Sequence, residues 1–130
     1  MIAIVDYGMG NRRSVEKALA HVGAESVITA DVKHASAIIL PGVGAFPEAM
    51  RRLRAAGLDE AIAERADAGV PVLGLCLGMQ LLFETSDEHE GATGLGLLPG
   101  RVRRLQAPRV PHIGWNLVTF TRPSRMSMAG

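Results

Sequence analysis

The sequence predicts an α/β fold: a three-layer, doubly wound, mostly parallel sheet. Three observations predict it. Short apolar runs alternate with segments of helical period, the connections between them are short and carry glycine or proline, and the runs suit strands buried in a parallel sheet. A chain of 130 residues is long enough for one domain with a real core.

The elements follow in order. "MIAIVDY" offers Ile2, Ile4 and Val5 as a first strand. "GMGN" turns the chain, and Asn11 suits a helix N-cap. Val15, Leu19 and Val22 then share one helical face, and Gly23 stands where a helix ends. "ESVITA" is a second strand, and Ala37 to Leu40 a third, stopped by Pro41-Gly42. "PEAMRRLRAAG" is a helix with Pro47 in its first turn. "LDEAIAERADAG" is another, with Leu58, Ile62 and Ala66 on one face. "VPVLGL" is a fourth strand and "LGMQLLFET" the helix that follows it. Beyond Glu84 the pattern changes: "SDEHEGATGLG" is a polar loop, and "GRVRRLQ" and "WNLVTFT" have the look of strands. Ligands of such sheets bind beyond the carboxyl ends of the strands, so "GMGN", "PGVG" and "GLCLG" are expected along one edge.

Composition narrows the function. A net charge of +1 argues against general nucleic-acid binding. Residues 1–90 hold 8 Lys/Arg and all 13 Asp/Glu, whereas residues 91–130 hold 6 Arg and no acid, a split that can mark a basic tail or a partner surface. No apolar run is long enough for a membrane span, and "MIAIVDYG" lacks a basic signal-peptide start. A lone cysteine cannot close an internal disulfide, which points to the cytoplasm.

That cysteine carries the chemistry. Gly74-Leu75-Cys76-Leu77-Gly78 lies at a strand-to-helix junction, the setting of a nucleophile elbow. The turn would lift the thiol above the sheet edge at a helix N-terminus, which favours a thiolate, and the Leu77 N–H could donate to an oxyanion. A small buried core cysteine fits the same spacing. "LPGVGAF" is equally open: a tight turn explains its glycines, and a strip of N–H donors completing an oxyanion hole explains them too. "YGMGNRRS" lacks the third glycine of a dinucleotide loop, and no acid ends the second strand. The histidines, His21, His34, His89 and His112, show no zinc-ligand spacing, so neither metal nor cofactor is expected.

"DYGMGN", "LPGVGAF", "GLCLGMQLLF" and "VPHIGWN", in this order, resemble the glutaminase subunits of imidazole glycerol phosphate synthase, class I (triad-type) glutamine amidotransferases of histidine biosynthesis. The resemblance covers about residues 1–116. It implies that Cys76 attacks the amide of glutamine to give ammonia and a glutamyl thioester. It implies an oxyanion loop at Gly42, Val43 and Gly44, which can need a peptide rearrangement, with Leu77 as the second donor. Gln80 and Glu88 would hold glutamine. Asn11, His112, Trp115 and Asn116 would face the partner, a (β/α)8 cyclase subunit that receives the ammonia and, with the glutaminase, forms a heterodimer. The family's His-x-Glu pair has no counterpart here, and "LVTFTRPSRMSMAG" departs from the family pattern, as a fragment, a shifted frame or a divergent tail would. The expectation is a single amidotransferase domain over residues 1–130, its C-terminal part missing and its turnover impaired. The alternative is a non-catalytic module that binds glutamine or the cyclase. Without the resemblance, Trp115 would be a core aromatic and His112 a buried imidazole.

Overall fold

The computed structural model describes residues 1–89 and 91–127. Strands β1 (Ile2–Val5), β2 (Ser26–Thr29), β3 (Ala37–Leu40) and β4 (Val72–Gly74) form a four-stranded sheet in the order β2-β1-β3-β4. Every pairing in it is parallel. The chain moves outward from β1 to β2, returns to β3 on the other side and continues to β4. The fold is thus doubly wound, with its switch point between β1 and β3.

Helix α1 (Arg12–His21) joins β1 to β2, and α2 (Phe46–Ala55) with α3 (Leu58–Asp67) joins β3 to β4. Right-handed crossovers in opposite directions place them on opposite faces. The two faces are unequal. Ala3, Val5, Ile38 and Leu40 pack with Phe46, Met50, Leu53, Leu58 and Ile62 in the main core. Each large side chain fully removed from water there contributes roughly 1.5–3 kcal/mol. On the α1 side Ile4 and Ile39 are covered, but α1 buries no residue completely and Leu73 of β4 is 42% exposed. The three-layer arrangement is present, with a thin third layer. From β2 to β3 the chain passes without a helix.

Helix α4 (Leu77–Leu81) follows β4 and is shorter than the sequence predicts. Residues 82–85 leave the helix, because β5 (Phe83–Ser86) pairs antiparallel with β6 (Ala92–Thr93) and in parallel with β7 (Leu98–Val102). These pairings outweigh a local helical pattern in residues whose Phe and Thr also suit strands. The predicted loop over 86–96 therefore contains β6. The strand expected at "GRVRRLQ" begins earlier and stops at Val102.

The segment after Val102 contradicts the sequence reading more fully. No strand forms at 115–121 among the described residues, and residues 103–126 are exposed throughout. Trp115 is neither a core aromatic nor His112 a buried imidazole: Trp115 is 103% exposed. A strand needs an edge to pair with, and among the described residues no strand pairs with this segment. The last three residues of the tail, 128–130, lie outside the described residues. Among the described residues, no helix is long and apolar enough to cross a membrane.

Candidate active site

The three glycine-bearing turns meet at the switch point. A Cβ built on Gly10 would stand 3.0 Å from the Gly42 nitrogen, one on Gly42 would stand 2.9 Å from the Gly78 nitrogen, and one on Gly78 would fall 1.8 Å from the Leu40 carbonyl oxygen. Only bare backbone fits at these crossings. The "GMGN", "PGVG" and "GLCLG" segments therefore share one edge, as the sequence predicts.

Cys76 occupies the bend between β4 and α4 with φ 57° and ψ −121°. A non-glycine residue there is strained by about 1–3 kcal/mol, and such strain persists only where the surroundings enforce it. Leu75 N–H continues the β3–β4 pairing onto the Leu40 carbonyl at 2.9 Å. A Cβ on Gly74 would lie 2.6 Å from the Met79 backbone. The helix therefore doubles back tightly over the strand, and Cys76 is left exposed. It is a raised thiol, not a core cysteine.

Gly42, Val43 and Gly44 lie against this bend. The Gly42 carbonyl accepts the Leu77 N–H at 3.2 Å. The next two amides of α4 are also engaged: Gly78 N–H donates to Leu75 O at 2.9 Å and Met79 N–H to Cys76 O at 3.0 Å. The strip therefore presents an acceptor where an oxyanion would need a donor. Val43 is 57% exposed beside it.

Tyr7 pins the strip from below. Its hydroxyl donates to the Pro41 carbonyl at 2.7 Å, and the ring is buried. Burial pushes its pKa up from 10.0 to about 12, opposed by the nearby Arg52 guanidinium. Arg52 in turn donates from Nη1 to the Gly8 carbonyl at 2.8 Å and from Nε to Glu48 Oε1 at 2.9 Å. The unfolded chain releases the tyrosine proton near pH 10 and the folded chain near 12, so Tyr7's contribution is intact below pH 10 and is lost as pH rises to 12. Urea unfolding at pH 9 and pH 11 is expected to show this alkaline loss. Tyr7→Phe is expected to cost about 1 kcal/mol at pH 9 and to remove most of the difference between the two pH values.

A cavity of about 510 Å³ opens beside α4, lined among others by Gly44, Gln80, Glu88 and His89. Gln80 lies one helical turn beyond Cys76. Glu88 Oε2 accepts the Phe46 N–H at 2.9 Å. It thus caps α2, whose own N-cap residue, Ala45, offers no side-chain acceptor. The imidazole of His89 lies 3.9 Å from the other Glu88 oxygen. Gly42 thus meets Leu77 beside Cys76, with Val43 next along the strip, while Gly44, Gln80 and Glu88 line the cavity beside α4. A larger cavity of about 650 Å³, lined by Met1, Glu16, Glu25 and Val27 among others, lies at the amino ends of the strands, away from this chemistry.

The remaining candidates are not joined to this site. Asn11 caps α1, its Oδ1 accepting the Ser14 N–H at 3.2 Å. His112 and Asn116 contact each other at 3.0 Å (Nε2 to Nδ2) within the exposed segment. Sequence reasoning missed Tyr7 and Arg52. Tyr7 had a signal, since a tyrosine hydroxyl at the end of a buried strand needs a partner; Arg52 had none.

Comparison with known proteins gives the same picture. Residues 9–112 match the CobB/CobQ-like glutamine amidotransferase domain. The chain is 53% identical over 126 residues to the imidazole glycerol phosphate synthase subunit HisH of Bacillus cytotoxicus, covering 94% of this chain and 60% of that protein. It is 54% identical over 129 residues to the subunit of the same name from Moorella thermoacetica, covering 96% and 61%. The chain thus spans about 60% of the length of these curated relatives. A solved structure titled as a glutamine amidotransferase superposes with a TM-score of 0.70 at 24% identity, over 85% of this chain and 60% of that one, which supports the fold. With its elbow, strip and parallel sheet inside a match that runs over most of its length, the chain belongs to the CobB/CobQ-like glutamine amidotransferase family.

Proposed function

We propose that Cys76 captures glutamine as a nucleophile, in the manner of the glutaminase subunit of an imidazole glycerol phosphate synthase. One observation carries this reading: an exposed thiol on enforced, strained backbone, with a glycine strip lying against its helix N-terminus. The thiolate sulfur bonds to the amide carbon of the glutamine side chain. The amide nitrogen takes up a proton and leaves as ammonia, and water hydrolyses the glutamyl thioester.

Developing charge on the amide oxygen needs donors. Turning the Gly42–Val43 peptide by about half a rotation would release the Leu77 N–H from the Gly42 carbonyl and aim the Val43 N–H at the same point, with glycines at 42 and 44 permitting the motion. Removing one such donor typically costs about 2.7–4 kcal/mol of transition-state stabilisation. The strip as seen is then a resting arrangement. Gln80 and the uncommitted Glu88 oxygen hold the glutamine, Glu88 taking its α-ammonium.

Turnover by residues 1–130 on their own is expected to be slow. No His-x-Glu pair occurs in the sequence, and no histidine hydrogen-bonds Cys76 among the described residues. Loss of the base partner costs several orders of magnitude in rate. A thiol suffers less than a hydroxyl, because part of it is ionised near neutrality. Ammonia would pass to a (β/α)8 cyclase subunit docked near Asn11, His112, Trp115 and Asn116, whose exposure suits a partner surface. The same missing base keeps a second reading open, a module that binds glutamine or the cyclase without turnover.

Ammonia release from glutamine, with and without a purified cyclase subunit, tests the reading. The expected rate is at least about a thousandfold below that of a full-length HisH subunit assayed alongside, while Cys76 still reacts with a glutamine-like electrophile. A rate matching the full-length subunit would overturn the impairment. A folded chain whose Cys76 resists the electrophile would overturn the nucleophile.

A further inference from the structure

The strip beside Cys76 is held at one end and loose at the other. Pro41 and Gly42 are buried, whereas Val43 and Gly44 are exposed. Backbone and the Tyr7 hydroxyl enclose the Pro41–Gly42 peptide. A Cβ built on Gly10 would stand 3.0 Å from the Gly42 nitrogen and 3.1 Å from the Pro41 carbonyl carbon, and one on Gly42 would stand 2.8 Å from the Tyr7 hydroxyl. A Cβ on Gly44, by contrast, would meet the flexible tip of the Met9 side chain, at 3.0 Å. The close packing thus falls before the Gly42 carbonyl and the freedom to turn falls after it.

Alternate carbonyls of this stretch leave it in opposite directions. Those of Leu40 and Gly42 accept the Leu75 and Leu77 N–H groups of the elbow, at 2.9 and 3.2 Å. The Pro41 carbonyl between them accepts the Tyr7 hydroxyl at 2.7 Å. Proline has no N–H, so its carbonyl is the one main-chain group by which residue 41 can be fixed through a hydrogen bond. Tyr7 is a firm post for it. Its ring belongs to the main core. The next carbonyl along, that of Gly8, is tied to α2 by Arg52 Nη1 at 2.8 Å, and Arg52 Nε is itself held by Glu48.

We infer that Tyr7 is a positioning residue for the strip: by holding the Pro41 carbonyl it confines rotation to the Gly42–Val43 peptide and so aims the Val43 N–H at the point served by Leu77. The inference rests on the oxyanion arrangement proposed above and adds the side chain that sets its geometry. Tyr7 acts through Pro41 and not on the substrate. With the hydroxyl gone, the Pro41–Gly42 peptide can share in the rotation, and the Val43 N–H no longer arrives in one direction. A donor out of line loses much of its effect on developing charge. Ligand binding does not pass through this bond, so the loss falls on the bond-forming step.

Tyr7→Phe, which keeps the ring and removes the hydroxyl, supplies the test. Modification of Cys76 is followed by intact-mass spectrometry with two probes. One is 6-diazo-5-oxo-L-norleucine over a range of concentrations, its ketone oxygen standing where the amide oxygen of glutamine would. The other is iodoacetamide, which has no amino-acid head. The variant is expected to reach a maximal rate with the diazoketone at least about tenfold below that of the native chain, with the half-saturating concentration and the iodoacetamide rate unchanged. A purely structural role would lower the urea midpoint without this split. An unchanged maximal rate in the folded variant, or an equal fall with both probes, overturns the positioning role and leaves Cys76 as the nucleophile. A native chain that reacts with iodoacetamide but not with the diazoketone overturns the glutamine reading, and this inference with it. A second measurement needs no variant. In a crystal structure of the native adduct the Tyr7 hydroxyl is expected within about 3.2 Å of the Pro41 carbonyl oxygen, and a carbonyl turned away from it overturns the inference.

Discussion

Replacing Cys76 with alanine is expected to abolish covalent capture of glutamine-like electrophiles, a loss of at least about a thousandfold. The chain has no other thiol, so mass spectrometry of the adduct reads the effect without ambiguity. The substitution leaves the bend strained, because alanine at φ 57° fares no better than cysteine. Cys76→Gly removes the sulfur and the strain together. Its urea midpoint is expected to correspond to about 1 kcal/mol more stability than the alanine variant. A glycine variant no more stable than the alanine one would show that the bend is not enforced, and with it would go the reason for a raised thiol.

The second large effect is structural. Gly78→Ala is expected to remove the cooperatively folded state, or to cost more than about 3 kcal/mol, measured by urea unfolding followed by circular dichroism. The added methyl would meet the Leu40 carbonyl at 1.8 Å, with the Pro41 carbon at 3.2 Å behind it. These are backbone atoms of β3 and the strip, so no rotamer change relieves the clash. Folded proteins of this size hold only about 5–15 kcal/mol in reserve. Gly69→Ala is the control. Unlike Gly78 it sits at positive φ, +89°, and nothing lies within 4 Å of its added carbon. Its cost is expected to stay near 1–2 kcal/mol, the backbone penalty alone. A larger loss at Gly78, which carries no positive-φ penalty, therefore reports the close approach that joins the elbow to the strip.

Much of this arrangement is legible in the residues. The first four strands and three helices follow from apolar runs and 3.6-residue periods, and their boundaries shift by only a few positions. The meeting of three glycine turns follows from topology, because parallel strands deliver successive carboxyl ends to one edge. What fails is decided by distant pairing. "LLFET" carries a helical pattern, yet Phe83 is in register with Leu98, and that partner is invisible from the local window. "WNLVTFT" alternates like a strand but lies exposed without a partner. Within the site, sequence spacing locates Cys76, Gln80 and the strip. It cannot reveal that the Leu77 N–H is engaged by the Gly42 carbonyl, which depends on one peptide's orientation.

That peptide is where a single experiment bears hardest. A crystal structure of the chain carrying 6-diazo-5-oxo-L-norleucine on Cys76 would display the strip with an oxygen to receive. The expected result has the Gly42 carbonyl turned off Leu77, and both the Val43 and Leu77 N–H groups within about 3.1 Å of the adduct's carbonyl oxygen. An adduct whose oxygen points to solvent, over a strip still bonded Gly42 to Leu77, would contradict a latent oxyanion hole and leave Cys76 merely an accessible thiol.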